Sequence, residues 1–405
     1  MASDLSMDVV IAGGGLAGMP LACALGAAGI SVALIEPTPP EKLVTTEFDG
    51  RTTAVAASSA RMFESLGAWD DVAPHAQPIL DIRVADAESP FFVHYDHKDV
   101  GADALGWIVE NKDLRAAMLP LLDALPTVRF LPGLRVTEFE TENAWATVHL
   151  SDGTMLGARL LVGADGRQSP TRRRAGIGVT KWRYDQHAII CTVVHERDHR
   201  GIAHEHFLPS GPFAILPLTG NRSSIVWTER ADLAPHFMNL PDGDFLEELS
   251  SRFGNFLGAL SLEGPRRSYP LGLMNARSYI APRIALVADA AHTIHPIAGQ
   301  GINIGWRDVA ALAEVVADTM RLGLDPGDLS SLEKYQSWRR TDNAVMLAAT
   351  DALNRLFSND AAPLVAARNL GLAAVQRAPA VKKLFMRHAM GELGDLPRLI
   401  RGLPV

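Results

Sequence analysis

The pattern in residues 7–36 restricts the fold more than any other segment of the chain. Residues 7–12 are apolar and predict a buried strand, residues 16–28 predict a helix of small and apolar residues, and residues 31–36 predict a second strand. Prolines follow the second strand at once and end it. Strand, helix and strand in this order predict a βαβ unit, and therefore a parallel sheet with helices packed against it.

The turn between the first strand and the helix reads Gly13-Gly-Gly15-Leu-Ala-Gly18. Gly13 permits a tight turn, Gly15 lets the backbone approach a pyrophosphate, and Gly18 allows close packing of helix on strand. The helix N-terminus presents free N–H groups to the anion. Glu36 ends the second strand, where an acid accepts hydrogen bonds from ribose hydroxyls. The pattern predicts an adenine dinucleotide, NAD or FAD, and a purely structural glycine turn is the alternative.

Two later segments place an aspartate directly after a predicted strand. Residues 159–163 lead into Asp165-Gly166, and residues 284–288 lead into Asp289. The alternative for each aspartate is a cap on the following turn or helix. Together with the N-terminal fingerprint, these two strand ends indicate further contacts with the dinucleotide.

Residues 295–308 contain several glycines around the predicted start of a helix rich in Ala, Val and Leu. Such a helix start indicates backbone N–H donors aimed at an anionic group. The N1–C2=O side of a reduced flavin would be one such group. A structural helix start is the alternative.

Composition excludes several classes of protein. The 38 Lys and Arg residues against 46 Asp and Glu residues give a net charge of −8, so no general attraction to nucleic acid is expected. Cys23 and Cys191 occur without metal-ligand spacing and predict buried thiols in a reducing compartment, with no metal site. Residues 1–7 lack the basic residue of a secretory signal, and no stretch reaches the ~18 apolar residues of a membrane span.

Several motifs resemble one family. Class A flavoprotein monooxygenases of the para-hydroxybenzoate hydroxylase type are similar to this chain in four segments: residues 13–18 with Glu36, residues 49–54, residues 163–166 and residues 288–292. Residues 295–308 and 382–402 resemble, more specifically, one subgroup of this class, the ubiquinone-biosynthesis hydroxylases. The resemblance covers nearly the whole chain.

The resemblance implies FAD as the bound cofactor and NAD(P)H as a transient reductant. It implies that Arg51 lies near the cofactor phosphates and that Asp289 contacts the ribityl–phosphate part. Asp165 and Gly166 are implied to serve both FAD and the passing nicotinamide. The implied cofactor-binding residues are Gly13, Gly15, Leu16, Ala17, Gly18, Glu36, Arg51, Lys112, Arg115, Asp165, Gly166, Asp289, Pro296, Gly299, Gln300, Gly301, Ile302 and Asn303.

Two positions depart from the pattern of the family. Ala288 replaces the usual glycine before the second aspartate, which argues against a close backbone approach there. Asn111-Lys112 replaces an arginine that often contacts FAD. Lys112 and Arg115 therefore either contact FAD or belong to a solvated helix face.

The predicted fold class is α/β, or α+β overall. A Rossmann-like FAD-binding domain would carry an inserted, mostly antiparallel sheet domain for the substrate and a C-terminal helical region. The FAD-binding domain would comprise residues 1–78, 100–180 and 275–328, the substrate domain residues 79–99 and 181–274, and the helical region residues 329–405. Pro363, Pro379 and Pro397 are expected to interrupt the helical region.

The resemblance implies an FAD-dependent aromatic hydroxylase that uses NAD(P)H and O2, activates oxygen at flavin C4a and acts on a polyprenyl phenol of ubiquinone biosynthesis. A reductase of the two-dinucleotide kind is disfavoured, because no second G-x-G-x-x-G and no C-x-x-x-x-C occur. The alternatives are another aromatic or isoprenoid substrate, and a catalytically silent flavin-binding assembly subunit. Pro296 and His295 are the candidate catalytic residues, with His292 as a further candidate.

Residues 381–402 contain five Lys or Arg residues and two acidic residues among apolar side chains. Together with the polyprenyl substrate that the resemblance implies, this composition predicts a peripheral contact with the inner face of the membrane by a protein that is expected to be cytoplasmic. A contact with other ubiquinone-biosynthesis enzymes and a solvated basic face are equal alternatives. The oligomeric state stays open.

Overall fold

The computed structural model describes residues 6–43, 48–86, 92–142, 144–358, 368 and 371–405. The strands, in chain order, are β1 (Ser6–Ala12), β2 (Val32–Glu36), β3 (Thr52–Ala56), β4 (Gln77–Ile79), β5 (Asp81–Asp86), β6 (Phe92–Asp96), β7 (Gly106–Glu110), β8 (Val128–Pro132), β9 (Val136–Glu142), β10 (Trp145–Leu150), β11 (Met155–Gly163), β12 (Val179–His195), β13 (Ile202–Leu208), β14 (Gly211–Leu218), β15 (Arg222–Arg230), β16 (Leu260–Ala276), β17 (Ile280–Ala281), β18 (Ile284–Leu286) and β19 (His292–Thr293). The α-helices are α1 (Gly18–Ala27), α2 (Pro40–Leu43), α3 (Ala57–Ser65), α4 (Trp69–Val72), α5 (Asn111–Ala124), α6 (Pro170–Arg174), α7 (Ala234–Asn239), α8 (Asp242–Phe253), α9 (Gly301–Arg321), α10 (Leu329–Phe357) and α11 (Pro379–Ala389).

The predicted βαβ unit lies at the centre of the first sheet, whose main order is β17-β18-β11-β1-β2-β8. β1 pairs in parallel with β2 and β11, and β11 pairs in parallel with β18. Val9 and Ile11 pack with α1 and α9, whereas Val10 packs with β9 and β10 on the other face. Both faces are therefore covered, which explains the continuous apolar run of β1. Helix α1 begins at Gly18, because Leu16 and Ala17 belong to the turn.

The second sheet has the order β19-β16-β12-β15-β14-β13-β5-β6. It is antiparallel except where β13 pairs in parallel with β5, which confirms the predicted mostly antiparallel sheet. One face packs on α7 and α8 through a cluster that includes Phe213, Trp227 and Phe245. Its opposite face lines a cavity that is bordered on the other side by β3 and the loop before α9.

The C-terminal region is helical, as predicted, in α10, in residues 371–376 and in α11. Pro379 begins α11, and Pro363 lies outside the described residues. The division of the chain into three domains stays a prediction. No helix of the described stretches is both long and apolar enough to cross a bilayer.

A buried carboxylate, that of Asp308 in α9, joins α10 to the end of β18. Its two oxygens accept hydrogen bonds from the Ala288 backbone N–H at 3.1 Å, Arg339 Nε at 2.9 Å and Asn343 Nδ2 at 3.0 Å. His292 Nε2 lies 2.5 Å from the same carboxylate. Burial opposes ionisation of Asp308, yet the charges and hydrogen bonds of these neighbours hold its pKa at about 2.

Ala288 adopts the left-handed region with φ of 52°. That conformation costs an alanine about 1–2 kcal/mol, and the hydrogen bond from its N–H to Asp308 helps to hold it. The Ala288 methyl group faces Gly305 of α9, where an added Cβ would lie 2.6 Å from the Ala288 Cβ. Glycine at position 305 therefore makes room for alanine at position 288.

We expect Gly305→Ala to lower the free energy of unfolding by about 1–3 kcal/mol, because two methyl groups would overlap. The double variant Ala288→Gly/Gly305→Ala should recover most of this loss. Gly243→Ala in α8 is the control, since an added Cβ there meets no atom within 4 Å. Urea unfolding followed by circular dichroism measures each free energy. Equal losses in the single and the double variant would contradict the contact.

Candidate active site

Gly13, Gly15 and Gly18, in the turn between β1 and α1, have the surroundings that their predicted roles require. Gly13 has φ of 106°, and an added Cβ there would overlap the carbonyl oxygen of Ala164. An added Cβ at Gly18 would overlap the carbonyl oxygen of Gly13, whereas one at Gly15 would meet no protein atom within 4 Å. The first and third glycines thus serve the packing of the turn. The second leaves open space at the surface where a pyrophosphate would approach.

Glu36 holds the same turn through its carboxylate. Oε2 accepts a hydrogen bond from the Gly14 N–H at 2.7 Å, and Oε1 accepts one from the Thr38 N–H at 2.8 Å. Each oxygen has a second lone pair, so the carboxylate can still accept a ribose hydroxyl. Glu36 therefore has a structural role that the sequence did not indicate, beside the predicted one.

Two guanidinium groups share one carboxylate close to this turn. Arg51 Nη2 lies 2.5 Å and Arg115 Nη2 3.9 Å from Asp49 Oδ2. Burial opposes ionisation of Asp49, yet the hydrogen bonds and charge of Arg51 hold its pKa below the usual value. Arg115 Nε is buried without a hydrogen-bond partner in the described structure. The local excess of positive charge and the spare donor suit a phosphate.

Lys112 has a different environment from Arg115. Its Nζ lies 3.1 Å from Glu110 Oε2 and 3.7 Å from Asp113 Oδ1. These two ion pairs engage the ammonium group of Lys112 within the protein. Of the two alternatives for Lys112, the structure therefore favours the helix-face role over a contact with FAD.

Both strand-end aspartates lie where a cofactor contact is feasible. Asp165 Oδ2 accepts the Thr171 N–H at 2.9 Å, as the capping alternative expects, while Asp165 Oδ1 is buried without a partner in the described residues. A buried acceptor without a donor is rare in proteins and indicates a missing polar group. Asp289 is accessible to solvent but closely surrounded by protein, and this desolvation raises its pKa.

A cavity of about 950 Å³ lies between the loop before α9 and the open face of the second sheet. The start of α9 is at its wall, so the positive end of the helix dipole faces this space. Predicted residues in its lining are Arg51, Pro296, Gly299, Gln300, Gly301, Ile302 and Asn303. The sheet and α11 contribute apolar side chains, among them Ile82, Val84, Val93, Ile190, Phe207, Leu216, Val226, Phe385 and Met386.

The side chain of Asn303 is fully used within the protein. Its Oδ1 accepts hydrogen bonds from the Ala56 N–H at 2.9 Å and the Ser59 hydroxyl at 2.8 Å. Its Nδ2 donates to the carbonyl oxygens of Ala54 at 2.8 Å and Gly299 at 3.0 Å. Because the side-chain amide has two donors and both are used, no side-chain N–H of Asn303 is left for FAD. Asn303 instead fixes β3 and α3 against the loop that borders the cavity.

The two candidate histidines lie away from the cavity lining. His295 is fully buried, neither ring nitrogen has a hydrogen-bond partner in the described residues, and its ring packs edge-to-face on Tyr184 at 5.3 Å. Burial lowers its pKa to about 4, so the ring is neutral. His292 is bound to Asp308. Of the three candidate catalytic residues, Pro296 is the one that lines the cavity.

The strand histidines of β13 have structural environments. The ring of His204 lies 4.7 Å from that of Phe256 and 5.9 Å from that of His206, and burial lowers the pKa of both histidines. The residue between them, Glu205, lines the cavity and was missed by the sequence analysis. The available signal was the alternation of Ala203, Glu205 and Phe207 on one strand face.

Three further groups, Asp81, Asp96 and His97, bring potential metal-ligand atoms within 4.8 Å of one another. His97 Nδ1 lies 2.9 Å from the carbonyl oxygen of Leu80, which engages that nitrogen as a donor. Asp96 Oδ1 accepts the Lys98 N–H at 2.9 Å. These bonds give the cluster a local structural role, and we assign no metal to it.

We expect Gly15→Ala to weaken FAD binding about tenfold or more, because the methyl group takes the space where the pyrophosphate would approach. Since that methyl group meets no protein atom within 4 Å, the unfolding free energy of the apoprotein should stay within about 0.5 kcal/mol of wild type. Gly18→Ala is the contrasting variant and should destabilise the apoprotein as well. Fluorescence titration with FAD and urea unfolding measure the two quantities. Wild-type FAD affinity in Gly15→Ala would contradict the role of the turn.

Comparisons with known proteins agree with this geometry. A family model described as FAD binding domain matches residues 6–349. The chain is 51% identical over 406 residues to the ubiquinone hydroxylase UbiL of Rhodospirillum rubrum, with 100% of this chain and 94% of that protein covered. It is 34% identical over 387 residues to the 3-demethoxyubiquinol 3-hydroxylase of Escherichia coli, with 95% of this chain and 98% of that protein covered.

The p-nitrophenol 4-monooxygenase PnpA of Pseudomonas putida shares the fold, with a TM-score of 0.80 and 18% sequence identity over 95% of this chain and 98% of that chain. The parallel sheet with its glycine turn, the unpartnered acceptor of Asp165 and the cavity at the start of α9 all fit a bound flavin dinucleotide. The chain belongs to the FAD-binding family of flavoprotein monooxygenases, in the group of the ubiquinone-biosynthesis hydroxylases.

Proposed function

We propose that this protein hydroxylates the aromatic ring of a polyprenylated phenol in ubiquinone biosynthesis, with bound FAD, NAD(P)H and O2. The names of the relatives, a ubiquinone hydroxylase and a 3-demethoxyubiquinol 3-hydroxylase, support this substrate class. The observation that carries the proposal is the cavity of about 950 Å³ with its apolar sheet wall. Its volume is near the upper end of small-molecule sites, as a ring with a prenyl chain beside a flavin requires.

When bound, FAD takes electrons from NAD(P)H and activates O2, one atom of which enters the ring while the other leaves as water. The residues of the chain bind the cofactor and the substrate and orient them. In our proposal Gly15, Leu16, Ala17 and the two arginines, Arg51 and Arg115, hold the phosphates. Glu36 accepts a ribose hydroxyl.

Asp165, Gly166 and Asp289 belong to the same proposed cofactor site. The spare oxygen of Asp165 would accept a hydrogen bond from the cofactor, and Asp289 would accept one from its ribityl part. Pro296 and residues 299–302 would border the flavin ring, where the positive end of the α9 dipole favours negative charge. The apolar side chains of the sheet exclude water from the reacting atoms.

The direct test measures O2 uptake and NAD(P)H oxidation by the purified holoenzyme with a short-chain prenylphenol. We expect oxidation that depends on the phenol, and a product that contains one additional oxygen atom by mass spectrometry. NAD(P)H oxidation without phenol is the control. Protein that holds no FAD, or no phenol-dependent oxygen uptake, would contradict the proposal. Quinone profiling in a strain that lacks the chain then identifies the missing hydroxyl, and an unrelated accumulating aromatic would indicate the alternative substrate class.

Helix α11 supports the proposal of a peripheral membrane contact. Leu384 and Phe385 are 54% and 48% exposed, and Phe385 also lines the cavity. Of the five basic residues in 381–402, Lys382 pairs with Asp99 at 2.8 Å and Arg398 pairs with Glu314 at 3.1 Å. Those two charges are used within the protein. The remaining attraction would therefore come from the apolar side of α11 together with the other three basic residues, Lys383, Arg387 and Arg401.

We expect the double variant Leu384→Glu/Phe385→Glu to lower binding to vesicles of phosphatidylcholine and phosphatidylglycerol about tenfold, because two apolar side chains no longer enter the bilayer surface. Leu322→Glu, at a leucine that is 71% exposed elsewhere, is the matched control. Vesicle flotation of the holoenzyme measures the bound fraction. Equal flotation of the double variant and the wild type would reject the contact and leave the partner-enzyme alternative.

A further inference from the structure

The sheet wall of the cavity contains a row of side chains that is apolar except at one position. Glu205 of β13 lies in this row, which crosses six strands in register. The other members of the row are Val93, Val84, Ala214, Val226 and Ile190. All of them line the cavity. One carboxyl group is thus presented to the cavity by an otherwise hydrocarbon surface.

The carboxyl group of Glu205 is without a partner among the residues that the structure describes. It forms no hydrogen bond or ion pair with any residue in the described part of the chain. The residues outside that part include no Lys, Arg or His, so no cationic side chain of the protein pairs with it. Burial disfavours the ionised carboxylate and raises the pKa of Glu205 to about 7.

An unpartnered carboxyl group on an apolar wall destabilises the folded protein, so the needs of folding do not explain its presence. Removing it from bulk water without a compensating hydrogen bond has a free-energy cost that valine or leucine at this position would avoid. The side chains next to Glu205 on the two adjacent strands, those of Val84 and Ala214, are both hydrocarbon. Polar groups of this kind, few and convergent on an apolar pocket, are the ones that orient a ligand.

We propose that Glu205 is the residue that recognises the phenolic hydroxyl group of the aromatic substrate, accepts its hydrogen bond and takes its proton during the reaction. This inference rests on the proposed function, since it requires a phenol in the cavity. The O–H bond of the phenol breaks and an O–H bond forms on the Glu205 carboxylate. The electron pair stays on the phenolic oxygen and is delocalised onto the ortho and para ring carbons, which become more nucleophilic.

A ring carbon then forms its C–O bond to one atom of the O2 that the bound cofactor activates, the O–O bond breaks, and the other atom leaves as water with the two electrons from NAD(P)H. The proton on Glu205 returns to the phenolic oxygen as the hydroxylated carbon releases its hydrogen to solvent as a proton, which restores the aromatic ring. Glu205 is regenerated as a carboxylate. A group with a pKa of about 7 suits this exchange, because both protonation states are accessible near neutral pH.

The sharpest test compares two ligands that differ only in the hydroxyl group, a short-chain prenylphenol and its methyl ether. We expect the wild-type holoenzyme to bind the phenol about tenfold more tightly than the ether, by quenching of intrinsic fluorescence. Glu205→Leu should lose this preference and bind the ether at least as well as the phenol. Glu205→Gln keeps the shape of the side chain and should retain binding of the phenol while the rate of hydroxylation falls about 100-fold or more.

Val84→Leu is the matched control within the same row. It alters the shape of the wall without altering a hydrogen bond, so both affinities should change together and their ratio should persist. The FAD content and the rate of flavin reduction by NAD(P)H should stay at wild-type levels in every variant, which separates a local effect from misfolding. A wild-type phenol-to-ether ratio in Glu205→Leu would overturn the assignment.

The pH profile gives a second readout. We expect the hydroxylation rate of the wild type to rise with pH through about 7 as Glu205 ionises, and this rise to be absent in Glu205→Gln. The flanking side chains of Val84 and Ala214 do not titrate. Other titratable groups in the cavity lining are Arg51, Tyr95, Arg167, His204, Tyr269 and Arg368. An unchanged rise in Glu205→Gln would assign it to one of these groups and contradict the role of Glu205.

The two proposals fail in different ways. If the wild type hydroxylates no phenol, the proposed function is wrong. If the wild type hydroxylates a prenylphenol and Glu205→Gln does so at the same rate, the function stands and the role of Glu205 is wrong.

Discussion

The buried carboxylate of Asp308 is the interaction on which the site depends most. An ionised group without access to water needs several donors, and Asp308 obtains them from the end of β18, from β19 and from α10. The same bonds fix the start of α9 relative to Asp289. Loss of the carboxylate would leave the buried Nε of Arg339 without its acceptor, with Asp342 Oδ2, 2.7 Å from Arg339 Nη1, as the remaining ion-pair partner. Cofactor site and C-terminal helix are therefore parts of one electrostatic unit.

A second set of polar contacts holds the two walls of the cavity together. The amide of Asn303 fixes β3 and α3 against the loop before α9. Thr52 Oγ1, on β3, then donates to or accepts from Ser224 Oγ on β15 at 2.9 Å. The chain of contacts runs from the proposed flavin loop to the sheet that carries the substrate wall. A substrate bound on that sheet would be positioned relative to the flavin by hydrogen bonds and not by apolar packing alone.

A residue's role can be predicted from the sequence where it depends on the immediate neighbours in the chain. The roles of Gly13 and Gly18 follow from a turn of six residues, and the structure agrees with both. The availability of a polar side chain for a ligand depends on the contacts that folding gives it. Lys112 and Asn303 have suitable chemistry for a cofactor, yet both side chains are used inside the protein. For Asp165 both alternatives apply, since one oxygen caps a turn and the other is free.

The sequence by itself determined the βαβ unit, the glycine turn and the mostly antiparallel second sheet, because periodicity and turn chemistry act over short stretches of chain. Only the tertiary structure decided which polar groups remain available for chemistry. Glu205 became a candidate because strands from distant parts of the chain place Val84 and Ala214 beside it, and no described residue pairs with its carboxyl group. His295 is not placed to exchange a proton with a ligand, because folding buries its ring outside the cavity lining. The availability of a polar group is a property of its surroundings, and those surroundings exist only after folding.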